Sequence, residues 1–228
     1  LLIGSDAREH SDFGAVRLSL VRWAGSLRVP AGIVEKFWSL DWTFPRSPGS
    51  GRIGPFCANA EFRFGTSPMV NRLQSKTRSY LMPAEWEPHH ATWLAWPHDL
   101  ETWPHNLNQL EATYFEVIQY LHSDEEVHIL VQDEPERDRL SHELKQRRLQ
   151  RNVFLHLVET DSIWIRDYGP TFVLQGQGKL ALVHWTFNAW GGKYTAFKKD
   201  RRVPGALAHL LGVPEFQTGL VLEGGSID

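Results

Sequence analysis

Residues 91–131 read ATWLAWPHDLETWPHNLNQLEATYFEVIQYLHSDEEVHILV, and the spacings inside this stretch decide the architecture. Ala91 to Trp96 is an apolar run that reads as a buried strand stopped by Pro97. Leu107, Leu110, Tyr114, Val117 and Leu121 then recur at steps of three and four, the stripe of a helix packed on one face. Val127 to Val131 is again nearly all apolar, a second strand. Strand, helix, strand is the unit of an α/β fold.

The same alternation continues downstream. Asp133-Glu134-Pro135 is a helix start, with acids at the positive end and proline early. Leu140 and Leu144 continue that helix to the cations Lys145, Arg147 and Arg148. Val153 to Val158 predicts a third strand. Thr171–Leu174 and Leu180–Phe187 flank the turn 176–179 as a hairpin. Arg202 to Leu211 predicts a helix ended by Gly212 and Pro214, and Phe216 to Leu222 a last strand.

Upstream the character changes. Residues 1–68 mix short apolar pieces with Ser, Gly and Arg, then Pro45, Pro48, Gly49, Gly51, Gly54 and Pro55. They show neither a capped helix nor regular alternating strands, and are read as an unassigned leader. The chain's two methionines are Met69 and Met82. Translation starting at Met69 and a variable native extension stand as equal readings of the leader, with residues 69–228 as the organised part.

Composition bounds the function. The 228 residues carry a formal net charge of −3 and are 42% hydrophobic, which gives no basic field for nucleic acid or an anionic membrane. No apolar run approaches a bilayer span. The single cysteine, Cys57, excludes an intrachain disulfide and a cysteine-rich zinc site, and fits a reducing, cytoplasmic setting.

Four segments are richer in Trp, Gly and charge than packing requires: PAEWEPH (83–89) with TWLAWP (92–97), DSIWIRDYGP (161–170), FNAWGGKY (187–194) and LEGGSID (222–228). In the second, Asp167 lies between Trp164 and Tyr168. A carboxylate there accepts two parallel N–H bonds from a guanidinium, and an indole packs the flat cation. The plainer reading is an Arg166–Asp167 surface pair at a turn beside core aromatics. In the last, Glu223 leads into Gly224 and Gly225, either a close backbone approach beside a held carboxylate or a tight turn with an exposed acid.

Taken in order, PAEWEPH, TWLAWP, DSIWIRDYGPTFV, FNAWGGKY and LEGGSID resemble the agmatine deiminase and Porphyromonas-type peptidyl-arginine deiminase family over about Met82 to Asp228. The resemblance implies a pentein-type α/β propeller of ββαβ modules, here its first half. It also implies hydrolysis of a guanidine to a ureido group plus ammonia by a cysteine thiolate and a histidine, without metal or organic cofactor. Agmatine, giving N-carbamoylputrescine in putrescine biosynthesis, is the first-choice substrate and peptidyl-arginine the runner-up. Asp167 matches the aspartate that binds the guanidinium, and Trp164 the tryptophan that walls the pocket. Glu223 matches the catalytic-site glutamate that orients or polarises the histidine. Arg166, Gly224 and Gly225 are read as structural, and the role of Glu87 is left open. The family's His-x-Asp pair and nucleophilic cysteine fall downstream of position 228, so the chain alone is expected to be inactive as a deiminase. The expected partner is a small cationic guanidine; a homo-oligomer is left open.

Two other classes compete with this reading. A metal hydrolase would use His89, His90, His98 and His105, but their spacing matches no ligand pattern, and Pro88, Pro97 and Pro104 break the helix that would align them. A non-catalytic module stacking a sugar or quaternary amine on its tryptophans is the other.

Overall fold

The computed structural model describes residues 15–18, 80–175, 178–194 and 197–227. The readings made for Met69, for Cys57 and for most of the leader lie outside the described residues. In chain order the elements are β1 (Ala15–Leu18), β2 (Tyr80–Leu81), β3 (His89–Ala95), α1 (Leu107–Leu121), β4 (Glu126–Val131), α2 (Glu134–Gln146) and β5 (Val153–Leu157). They continue with the short α3 (Ile165–Tyr168), β6 (Thr171–Gln175), β7 (Lys179–Thr186), α4 (Val203–Leu211) and β8 (Glu215–Val221).

The strands form two four-stranded sheets, ordered β1-β3-β4-β5 and β2-β6-β7-β8. The first is parallel throughout, with Trp93 beside His128 and Leu130 beside His156. Its α1 and α2 connections supply the crossovers that parallel pairing requires. The second is mixed: β2, β6 and β7 are antiparallel and β8 runs parallel to β7 after α4. The fold is mixed α/β, as the sequence implies, and both sheets of the described residues are open.

Local chemistry explains the boundaries. Asp133 caps α2, its Oδ1 accepting from the amide of Glu136 at 2.8 Å, with Pro135 in the first turn. Gly212 ends α4 at φ +64°, a left-handed cap that costs glycine little. The Thr171–Thr186 hairpin is present, its tip at 176–177 outside the described residues. One reading is corrected: Ala15–Leu18, inside the leader, pairs parallel with β3. Four residues are too few to display alternation, and such a strand is selected by its partner rather than its own sequence.

Side chains of α1 (Leu110, Ile118), α2 (Leu140) and β4 (Val127, Ile129, Leu130, Val131) are all 0% exposed within one core cluster. The near-continuous apolar run of β4 follows from its place between β3 and β5, covered on both faces. Across the sheet lies a stack of rings. Trp93 meets His128 at 4.3 Å between centroids, and His128 meets Phe154 and His156 at 5.0 and 5.1 Å.

Ile129→Ala is expected to lower the unfolding free energy by about 2–5 kcal/mol through lost burial and a cavity. Phe154→Ala, at a ring that is 42% exposed, is expected to cost distinctly less. Urea denaturation of both variants checks the order.

Candidate functional site

The site grows from the loop after β5. Its backbone is held by a carboxylate from another part of the chain: Asp200, 0% exposed, sits just before α4. Asp200 Oδ1 accepts from the amides of Asp161 at 2.7 Å and Ser162 at 3.2 Å, and Oδ2 from Ser162 Oγ at 2.8 Å. In return Asp161 Oδ2 accepts from the amide of Lys199 at 2.6 Å. Gln132, at the end of β4, exchanges two bonds with Thr160, and the buried Tyr168 hydroxyl donates to Ser162 O at 2.8 Å. Residues 160–168 are thereby fixed from three directions. Burial pushes the Asp200 carboxyl up to about 7 against the three hydrogen bonds that favour its ionised form.

On this base stands the turn of α3, which carries Arg166 and Asp167. The Arg166 guanidinium reaches Glu85 and donates to Ile227 O at 3.2 Å, tying the segment before β3 to the one after β8. Glu85, not the exposed Glu87, is the acid of the first motif that faces the site. Asp167 Oδ2 accepts from the indole N–H of Trp190 at 3.1 Å.

The glycines after Glu223 have a steric reason. A Cβ on Gly225 would sit 2.6 Å from Asp167 Oδ1, and one on Gly224 would run into the carbonyl oxygen of Arg166. Only glycine lets this backbone lie against the Arg166–Asp167 turn. That approach brings Glu223 near Asp167. The Glu223 carboxyl is raised from its ordinary value, first by desolvation and then by the negative charge of Asp167. Two converging carboxylates, one destabilised by the other, make a site that a cation would relieve.

Beside the turn of α3 lies an aromatic pocket. Trp164 and Trp190 line it with Trp103, Tyr194 and Phe197, and Asp99, Thr102, Ser162 and Ile163 complete it; Asp167 and Glu223 are not among its lining residues. The turn carrying Trp103 is held by Asp99, which accepts from the amides of Glu101 at 2.8 Å and Thr102 at 3.3 Å. Trp190 occupies a strained backbone: Ala189 and Trp190 have φ +57° and +55°, followed by Gly191 at +78° and Gly192 at +75°. Asn188 secures this left-handed turn, its Oδ1 accepting from the amide of Gly191 at 2.7 Å. Two non-glycine residues held so cost about 1–2 kcal/mol each.

The structure thus brings Trp164, Asp167 and Glu223 into one neighbourhood. Sequence reasoning passed over Trp190, Asp200, Glu85 and Trp103; for Trp190 the signal was the glycine pair after it. The four histidines at 89–105 do not gather: His89 faces Glu125 at 2.6 Å, His90 faces Glu126 at 3.5 Å, and His98 lies against Trp96 O and Gln132. Among the described residues no group of three or more His, Cys, Asp or Glu is placed to hold a metal, and no helix is long and apolar enough to cross a membrane.

Comparison with known proteins gives the arrangement a context. The family model for the Porphyromonas-type peptidyl-arginine deiminase matches residues 81–228. The chain is 38% identical over 154 residues to the agmatine deiminase of Ectopseudomonas mendocina (strain ymp), covering 64% of the chain and 40% of that protein. It is 36% identical over 155 residues to the agmatine deiminase of Stutzerimonas stutzeri (strain A1501), covering 65% and 40%. A solved structure of the agmatine deiminase of Enterococcus faecalis superposes with a TM-score of 0.56 at 27% identity, covering 64% of the chain and 40% of that structure. The chain therefore spans about 40% of the length of the curated relatives it matches.

The Asp200 clasp has a consequence in pH. The folded chain keeps this proton up to about pH 7, whereas an unfolded aspartate releases it near 3.8. Folding therefore becomes less favourable as pH rises through that window and levels off above it. Between pH 5 and pH 7.5 the wild type is expected to lose up to roughly 3 kcal/mol relative to Asp200→Asn. Urea midpoints at the two pH values measure this; equal slopes for both proteins would show that Asp200 is ionised throughout.

Proposed function

This chain belongs to the Porphyromonas-type peptidyl-arginine deiminase family, and on that premise we propose that residues 81–227 form the guanidinium-gripping part of an agmatine deiminase. The overall reaction takes up one water, breaks a C–N bond of the guanidinium, and leaves a ureido group and an ammonium ion. Agmatine would give N-carbamoylputrescine. The observation that carries this reading is the approach of the Glu223 carboxyl to Asp167, whose Oδ2 accepts from the indole of Trp190, next to the pocket that Trp190 and Trp164 share.

In this reading Asp167 accepts N–H bonds from the guanidinium and Trp164 walls the flat cation, since charge-assisted pairing and cation–π packing favour a planar positive guest. Glu223 acts on the catalytic histidine, orienting or polarising it at the edge of the site. Arg166, bound to Glu85 and Ile227 O, keeps the three segments together. The sheets are read as modules of a pentein-type propeller, supported by the β6-β7-α4-β8 run, a ββαβ unit. Agmatine is preferred to peptidyl-arginine because the matched relatives carry that name.

Titration calorimetry of the 228-residue chain tests the reading, with agmatine, N-carbamoylputrescine and a blocked arginine peptide as ligands. Agmatine is expected to bind and its product, in which a neutral ureido group replaces the guanidinium, not. Asp167→Ala is expected to weaken agmatine binding at least about 30-fold, the loss typical of truncating one partner of a desolvated charge pair. Equal binding of agmatine and the ureido compound would sink the proposal, and tighter binding of the peptide would move the substrate to protein arginine.

The pH dependence of that binding has a defined sign. A guanidinium prefers ionised carboxylates, so affinity is full at high pH and falls as they take up protons. Because the Glu223 carboxyl is raised, the fall is expected to begin at higher pH than for an ordinary glutamate, and Glu223→Gln is expected to remove that early part. An affinity that rises on acidification would contradict the two-carboxylate site.

A further inference from the structure

We propose that Trp190 is a positioning residue for Asp167: its indole N–H fixes the orientation in which the carboxylate meets the guanidinium. The inference rests on the reading of Asp167 as the guanidinium acceptor and adds a residue to that site. It starts from the 3.1 Å bond from Trp190 Nε1 to Asp167 Oδ2. On the other side Gly225 presses against Oδ1, close enough that an added Cβ would lie 2.6 Å away. A carboxylate on a single helical turn turns freely about its last torsion. Held at one oxygen and hemmed at the other, it does not.

The indole itself is fixed. Its ring meets Phe187 at 5.1 Å, Tyr194 at 5.6 Å and Phe197 at 5.5 Å between centroids, each nearly perpendicular. Its backbone is left-handed at both Ala189 and Trp190, a conformation that survives only where surroundings over-determine it and that gathers at functional sites. Packing alone requires no such backbone. The left-handed turn delivers the N–H to the carboxylate.

The choice of donor matters chemically. An arginine or lysine in this place would orient Asp167 but also neutralise it and compete with the cationic guest. Indole donates one hydrogen bond, accepts none, carries no charge and does not titrate. It orders the carboxylate without adding a positive charge. A hydrogen bond to an ionised group is stronger than a neutral one, so one neutral donor suffices.

The test uses the full chain in two measurements. In nitrogen-15 NMR of the wild type, the indole N–H of Trp190 is assigned by its through-space contacts to the rings of Phe187, Tyr194 and Phe197. The resonance is expected to shift in Asp167→Asn and when agmatine is added to wild type. By calorimetry, Trp190→Phe, with its fold checked by circular dichroism, is expected to bind agmatine about tenfold or more weakly than wild type. An indole resonance indifferent to Asp167→Asn overturns the inference even if Trp190→Phe fails to fold. Undiminished agmatine binding by a folded Trp190→Phe also overturns it. If wild type itself does not bind agmatine, the substrate reading fails, while a resonance that follows Asp167→Asn still supports indole control of the carboxylate.

Discussion

The buried carboxylate of Asp200 holds the site together. A side chain with no exposure, accepting from two successive amides and a hydroxyl of another loop, is costly to bury and costlier to remove. It fixes residues 161–162 to the start of α4, and α4 is the crossover between β7 and β8. The distance from the WIRDY turn to the LEGG segment is therefore set by sheet pairing and by this clasp, not by a flexible loop. Asp161 reinforces it from the opposite side through the amide of Lys199.

Given that frame, close approach decides the rest. Gly224 and Gly225 let the backbone after β8 lie against Arg166 and Asp167, and the same contact forces a second negative charge toward the first. The arrangement stores unfavourable electrostatics and an unfavourable left-handed turn at 189–190 in one small volume. Both kinds of strain belong to sites shaped for something outside the chain, since the fold gains nothing from either alone.

Most of the fold was legible because it is local. The steps of three and four in Leu107–Leu121, the Asp133 cap and the Gly212 stop carry their own chemistry, and each appears where the residues place it. The strand at Ala15–Leu18 was not legible, because its only specification is a neighbour more than 70 residues away. At the site, Trp164, Asp167 and Glu223 stood out through their motifs. Trp190 lay in a singled-out motif but drew no role, because an indole reads as core, and Asp200 drew none because an aspartate beside Arg201 and Arg202 reads as surface charge. Their meaning lies in hydrogen bonds that cross 23 and 38–39 positions of the chain, a relation no local pattern contains.

The stacked rings on the first sheet also fix a direction for protons. His128 Nε2 lies 3.0 Å from Glu126 Oε2, and His128 Nδ1 lies 2.8 Å from His156 Nε2. With Nε2 of His128 donating to Glu126, its Nδ1 is left to accept, so His156 donates from its own Nε2. Burial, joined by the neighbouring ring, holds His156 down to about 4, which keeps that single donor order in force near neutrality. The alignment of β4 with β5 is thus inscribed in a choice of tautomers: a slip by one residue would carry His156 to the opposite face from His128 and leave His128 Nδ1 without its donor.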